Sequence, residues 1–147
     1  MQLHPSDSAN STRLASESLS AGLIGLDFAT DVGDLHVVQY DALPDDQRNY
    51  WAICHEMDVD DIVLVMAHHF PLALCRVADD YNYIRRIEPE LGVWFRHFRR
   101  VDQISYFADV YTNAHDWPRI TMTATISPLR NTGTESRDLI DDWMSRI

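Results

Sequence analysis

Hydrophobic positions are densest between residues 57 and 101. Three apolar or mixed runs follow one another there: Ile62–Ala67, Leu72–Ala78 and Trp94–Val101. The first is apolar on both faces, the pattern of a central strand. His68-His69-Phe70-Pro71 is too short for a crossover helix, so the first two runs are expected to pair as an antiparallel hairpin. Upstream, Leu14, Ala15 and Leu19 line one face of a predicted helix, Thr12–Ser20, capped by Asn10 or Ser11 and closed by Gly22. Leu23–Leu26 reads as a short apolar strand with Asp27-Phe28 at its exit, and Asp31–Asp34 as a turn. Leu35–Tyr40 suits strand and helix equally. Pro44, Asp45 and Asp46 begin a second helix whose stripe is Tyr50, Ile53, Cys54 and Met57. Asp58–Asp61 is an acidic turn into Ile62.

Downstream, Val110–Trp117 is polar loop, and Arg119–Ile126 alternates with Ile120, Met122, Ala124 and Ile126 on one side. That alternation predicts a half-buried strand. Thr132 and Glu135 have capping-box spacing, and Leu139, Ile140, Trp143, Met144 and Ile147 form the stripe of a closing helix. Residues 1–10 are polar and expected to be flexible, apart from Gln2-Leu3-His4 as the end of a strand. Residues 11–147 form a single expected domain. The fold class expected is α+β: a small mixed or antiparallel curled β-barrel of five to six strands with three flanking helices.

Composition sharpens this picture at a few points. A chain of 147 residues with 46% hydrophobic content has enough apolar material for one core. No apolar run approaches a membrane span and no leader pattern is evident, so a cytoplasmic location and no membrane partner are expected. Cys54 and Cys75 read as free thiols of a reducing compartment. The formal net charge is -11, and all 12 basic residues are arginine. Such an acidic average surface repels a nucleic-acid backbone. The local distribution differs: Arg85, Arg86, Arg96, Arg99 and Arg100 share one stretch with only Glu88 and Glu90.

Motifs of catalysis are missing. No glycine-rich phosphate loop follows a strand, and no serine lies in a nucleophile elbow. His55-Glu56 lacks a second histidine four positions after the first, because residue 59 is Val. His68 and His69 would face opposite ways on a strand, and Asp58, Asp60 and Asp61 read as a solvated turn. No catalytic residue, metal or cofactor is therefore expected. The residues that remain are aromatic and basic. Trp51, Phe95 and Phe98 read first as core, whereas Tyr81 and Tyr83 flank Asn82 in a polar loop that leads to Arg85-Arg86. Aromatic faces in such a loop stack on nucleobases, at about 1–3 kcal/mol each. The base-pocket candidates are Asp27, Phe28, Trp51, Tyr81, Tyr83 and Trp94. The phosphate-binding candidates are Arg85, Arg86, Arg96, His97, Arg99 and Arg100.

The order of these elements resembles an EVE-like domain of the PUA-like superfold, to which the YTH and ASCH groups also belong. Met57-Asp-Val-Asp-Asp-Ile-Val-Leu-Val65 resembles the family's entry to its central strand. Leu72–Tyr83 resembles its next strand with the Asp-Tyr-x-Tyr ending, and Phe95–Val101 its "His, x, x, Arg-Arg, x, Val" strand. Gly22–Leu35 is similar to "Gly, Ile, x, x, Gly-Trp-Asp … Gly-Asp-Leu". The similarity spans about residues 14–127. Asp60 stands where the family has Gly, Leu26 where it has Trp, and Leu74 or Cys75 where it has a further Gly. The resemblance implies non-catalytic recognition of modified bases in DNA or RNA, often in restriction–modification systems beside a nuclease or motor domain or subunit. Two other classes compete with it. One is a protein-interaction or regulatory module of the same fold that does not bind nucleic acid, which the acidity and the absent Trp favour. The other is an enzyme acting on a nucleobase or small ligand, for which Asp27 would have to be a perturbed carboxylate in a cavity.

Overall fold

A computed structural model describes residues 1–147. The helices are α1 (Ser11–Ser20), α2 (Ala52–His55), α3 (Phe107–Val110) and α4 (Glu135–Met144). The strands are β1 (Leu23–Leu26), β2 (Ile62–Ala67), β3 (Phe70–Val77), β4 (Asn82–Tyr83) and β5 (His97–Tyr106). The fold is α+β, with a curled, five-stranded antiparallel half-barrel. The strand order is β1-β5-β3-β2, with β4 also on β5.

β5 organises the sheet. Its first residues lie between β1 (Leu26 opposite His97) and β4 (Tyr83 opposite His97). Its second half pairs with β3, from Val101 opposite Val77 to Tyr106 opposite Ala73. Between Leu74 and Arg76 the partner residue slips from Ser105 to Asp102, and Gln103 takes a φ of 48°. The extra residue makes a bulge, which bends and twists the strand. The β2–β3 pair is the expected hairpin, turning at His68-His69, with His68 at φ 60°.

Gly25 shows why β1 has to be small at its centre. A Cβ there would lie 2.1 Å from the Phe95 ring and 2.5 Å from the His97 carbonyl oxygen. Inside the sheet, Ile24, Val65, Ala73, Val77, Val101 and Phe95 join Leu19, Leu35 and Ile53 in the main core. A second cluster, with Phe107, Ile120, Ile140 and Trp143, packs on Leu64, Met66 and Leu74. Trp143 is wholly buried and its indole N–H donates to Ser105 Oγ at 3.0 Å.

Several expectations are corrected. Residues 119–126 form no strand. Their inward side is as the alternation foretold, with Ile120 and Ile126 buried, but their backbone is held by other partners. The Ile120 N–H donates to the His69 carbonyl, the Ile126 N–H to Asn49 Oδ1, and the Thr125 carbonyl accepts from the Gln2 N–H. One edge of β2 is already taken by the chain start: Met66 exchanges hydrogen bonds with Met1 and Leu3, and Gln2–Met66 is the single parallel bridge. Met1 and Leu3 are accordingly buried rather than loose. The third predicted strand begins three residues later than Trp94 and runs on to Tyr106. Asn82-Tyr83, expected as loop, is a strand. The second helix starts as a 3-10 stretch over Asp45–Trp51 before α2, with Tyr50, Ile53 and Met57 buried as its stripe requires. α4 is capped by Thr134, whose hydroxyl accepts from the Arg137 N–H, and buries only Ile140 and Trp143, while Met144 and Ile147 stay exposed. No helix is long and apolar enough to cross a membrane.

Candidate functional site

The register of β1 on β5 sets Asp27 beside Arg96, one step past the Leu26–His97 pair. The Arg96 Nε donates to Asp27 Oδ1 at 2.7 Å, and another of its nitrogens donates to the Phe28 carbonyl at 3.0 Å. Asp31 lies 3.5 Å from the same guanidinium and accepts the Tyr83 hydroxyl at 2.9 Å. The Gly33 N–H, then the Tyr83 hydroxyl and the Arg96 charge, hold the Asp31 carboxyl below its usual range. Asp27, Asp31, Tyr83 and Arg96 are thus one network joining the β1 exit to β4.

Beneath it sits His97, with no exposed surface. Alternation along β5 turns His97, Arg99 and Val101 inward. Three rings surround the imidazole: Phe28 edge-on at 5.1 Å, Tyr83 at 5.2 Å and Tyr81 at 6.0 Å. Tyr81 is also buried, and its hydroxyl lies 2.7 Å from His97 Nδ1 and accepts the Leu35 N–H at 3.1 Å. Burial keeps the Tyr81 phenol protonated well above its ordinary range and depresses His97 to about 4.

The rings continue to the surface. His36 meets Tyr81 edge-on at 5.0 Å, His55 lies 6.5 Å from His36, and Trp51 stacks on His55 at 3.8 Å. The His55 Nε2 is 2.9 Å from the Leu35 carbonyl. Leu35 therefore ties both arms together: its N–H to Tyr81, its carbonyl to His55.

The candidates separate clearly in space. Asp27, Phe28, Tyr81, Tyr83, Arg96 and His97 converge, and Trp51 joins them through His55 and His36. Trp94 does not. Its indole N–H donates to Glu17 of α1 and Arg13 lies over its ring. Arg99 is buried on the same face of β5 as His97, but its guanidinium is spent on α2 and the turn after β3: it donates to the carbonyls of Ile53, Cys54 and Asp79. Arg100 is exposed beside Asp79, at 3.8 Å. Arg85 and Arg86 follow β4, are exposed, and form no ion pair. From the sequence, His55 reads only as half of a metal motif and Asp31 only as the start of a turn, and His36 is not singled out. His55 stands one helical turn after Trp51, a spacing that puts the two rings on one face. For His36 and Asp31 no comparable signal exists.

A cavity of about 900 Å3 lies elsewhere, between β2, residues 121–130 and α4, with Ile62, Leu64, Met122, Ile140 and Met144 among its lining. No group of three or more His, Cys, Asp or Glu side chains is arranged to hold a metal ion. Both cysteines are free, and burial holds Cys54 at about 11 and Cys75 at about 12. No family model, no curated protein and no solved structure matches this chain.

Proposed function

We propose that this chain is a non-catalytic module that binds DNA or RNA through the surface around β4 and the β1 exit and reads a modified base there. The observation that carries the reading is the placement of Arg85 and Arg86. They are exposed and free of carboxylates on a chain of net charge -11, and they directly follow the ring cluster built on Tyr83. Cations without a protein partner are available to phosphate, and half-exposed rings are available to stack. In this reading the half-barrel is part of a PUA-like barrel of the EVE-like kind, and a nuclease or motor domain or subunit is the partner that acts on what is bound. Arg96 orders Asp27 and Asp31, and Arg100 contributes at the margin.

The test is a titration with modified and unmodified duplex and single-stranded oligonucleotides at low salt. Binding should weaken as salt rises, in proportion to the phosphates neutralised. An absence of binding to every oligonucleotide sinks the proposal.

A second reading, a protein-interaction or regulatory module, is supported by two observations. Arg76, Arg96 and Arg99 are engaged within the chain, and none of residues 85–100 lines the cavity of about 900 Å3 beside β2. A stoichiometric protein partner, purified together with this chain and without nucleic acid, would favour it.

A further inference from the structure

One polar atom in the ring cluster has no protein partner. The Nε2 of His97 is buried and makes no hydrogen bond. The state of that atom follows from its neighbours. The Leu35 N–H points at the Tyr81 oxygen, which already uses one acceptor position. The Tyr81 hydroxyl hydrogen has one acceptor within reach, His97 Nδ1 at 2.7 Å. A phenol that donates to Nδ1 requires that nitrogen to be unprotonated. The neutral ring then carries its proton on Nε2. The chain Leu35 N–H to Tyr81 hydroxyl to His97 Nδ1 thereby fixes an N–H donor inside an aromatic enclosure with nothing in the protein to receive it. Buried donors without acceptors are rare and mark places where a ligand or ordered water completes the set.

The enclosure also shows how that donor is reached. Phe28 and Tyr81 are buried, whereas Tyr83 is half-exposed: its ring packs on the edge of the main core and its hydroxyl is tethered to Asp31. Tyr83 is the least covered of the three walls, and entry of a ligand requires it to turn outward. Asp31 is itself at the surface, so the tether breaks without burying a charge.

Resting on the nucleic-acid reading above, we propose that His97 Nε2–H is the group that discriminates between bases. It donates to a ring nitrogen or carbonyl oxygen on the edge of a base seated between Phe28 and a displaced Tyr83. His97 is then a specificity residue and not a phosphate contact, and Tyr81 is a positioning residue that fixes its tautomer. A buried donor rejects a base edge that also donates, because both groups would lose their partners.

The experiment compares wild type, His97→Phe, His97→Gln and Tyr81→Phe on duplex and single-stranded oligonucleotides. These carry unmodified, methylated-cytosine or methylated-adenine positions, or an abasic site at the same place. Tautomer-sensitive nitrogen NMR of the wild-type histidines runs beside it. Expected are a proton on Nε2 and a preference of about tenfold or more for one base, the scale of one hydrogen bond from a buried donor. His97→Phe should lose that preference, binding the favoured base no more tightly than the others. His97→Gln, which places an amide N–H near the same position, should regain part of it, and Tyr81→Phe should weaken it. A proton on Nδ1, or full preference retained by His97→Phe, overturns the role of His97 and leaves nucleic-acid binding standing. Wild type that prefers no base, with Nε2 receiving a resident water, overturns it too. If wild type binds no oligonucleotide at all, the nucleic-acid reading falls and takes this inference with it.

Discussion

Arg99 donates to three main-chain carbonyls and meets no carboxylate. Two of those carbonyls, Ile53 and Cys54, belong to the last turn of α2, where orphan carbonyls and the negative end of the helix dipole favour a cation. The arginine fastens α2 to β5 and to the turn after β3. Arg99→Met should therefore cost about 1–3 kcal/mol in urea unfolding, because it leaves buried carbonyls unpaired. Arg86→Ala touches no ion pair and should stay within about 0.5 kcal/mol of wild type. In the proposed function the two differ in the other direction as well. Losing Arg85 or Arg86 should lower the salt slope of oligonucleotide binding by about one each. The histidines supply a pH prediction at the same scale. Burial depresses both His97 and His4 to about 4, from an ordinary 6.5. Between those values the unfolded chain binds protons that the folded chain does not, so folding stability rises with pH across that window. It is fully present above pH 6.5 and is lost as pH falls towards 4. Each histidine adds at most about 1.4 kcal/mol per pH unit there. Urea midpoints from pH 7 to pH 4 should show the fall, and His97→Phe should make it shallower.

Among elements, β1 is the most tightly specified. Its four residues are all buried, and Gly25 faces the Phe95 ring and the His97 backbone. A side chain can be pushed aside but a sheet carbonyl cannot, so Gly25→Ala should destabilise by about 1–3 kcal/mol. It should also disturb the Asp27–Arg96 junction two residues further on. α4 is specified by fewer contacts. Its N-cap, Thr134, is a local device, and Thr134→Ala should cost about 1 kcal/mol. Trp143 is its anchor, and Trp143→Ala should cost about 3–5 kcal/mol by emptying the space between Phe107, Tyr111 and β5. Thermal unfolding of the two variants separates cap from anchor. The local signals of α1, β1, the β2–β3 hairpin and the closing helix were legible in sequence, since each rests on periodicity and turn residues, but the cap is Thr134 and not the expected Thr132. Residues 119–126 were legible only in part. Alternation reports which side chains turn inward, and Ile120 and Ile126 do so. It does not report whether a neighbouring strand edge is free, and β2 offers its edge to Met1–Leu3 instead.

For the whole molecule, the balance of charge sets what a partner meets first. Arg76 is held between Asp60 and Asp102, Arg137 and Arg146 pair along α4, and Arg130 meets Glu56. The acidic surplus of the chain is therefore little offset by free cations: Arg85, Arg86 and, elsewhere in the chain, Arg119 are the exposed arginines without an ion pair. Long-range attraction to a polyanion should be weak and confined to low salt, where the screening length is longer. The expected outcome is oligonucleotide binding that is measurable near 50 mM salt and falls by about ten- to forty-fold by 200 mM, the loss the counterion argument gives for two to three neutralised phosphates. The bulge at Gln103 matters at this scale too, because it lets one strand serve both halves of the curled sheet.

The order of apolar runs and turn residues determined the α+β class, the hairpin, the inward side of most segments and the set of aromatic and basic residues worth weighing. Those are local properties, carried by side-chain period and turn chemistry. Which candidates meet was decided only by tertiary structure. Trp94 and Arg99 lie within five residues of His97, yet one faces α1 and the other α2, because strand pairing and register fix direction and no spacing along the chain records them. His36, His55 and Asp31 reach the ring cluster from separate segments for the same reason. Tyr81 and Tyr83, two residues apart and equal in sequence, part company in depth: one hydroxyl closes on buried His97, the other on Asp31 at the surface.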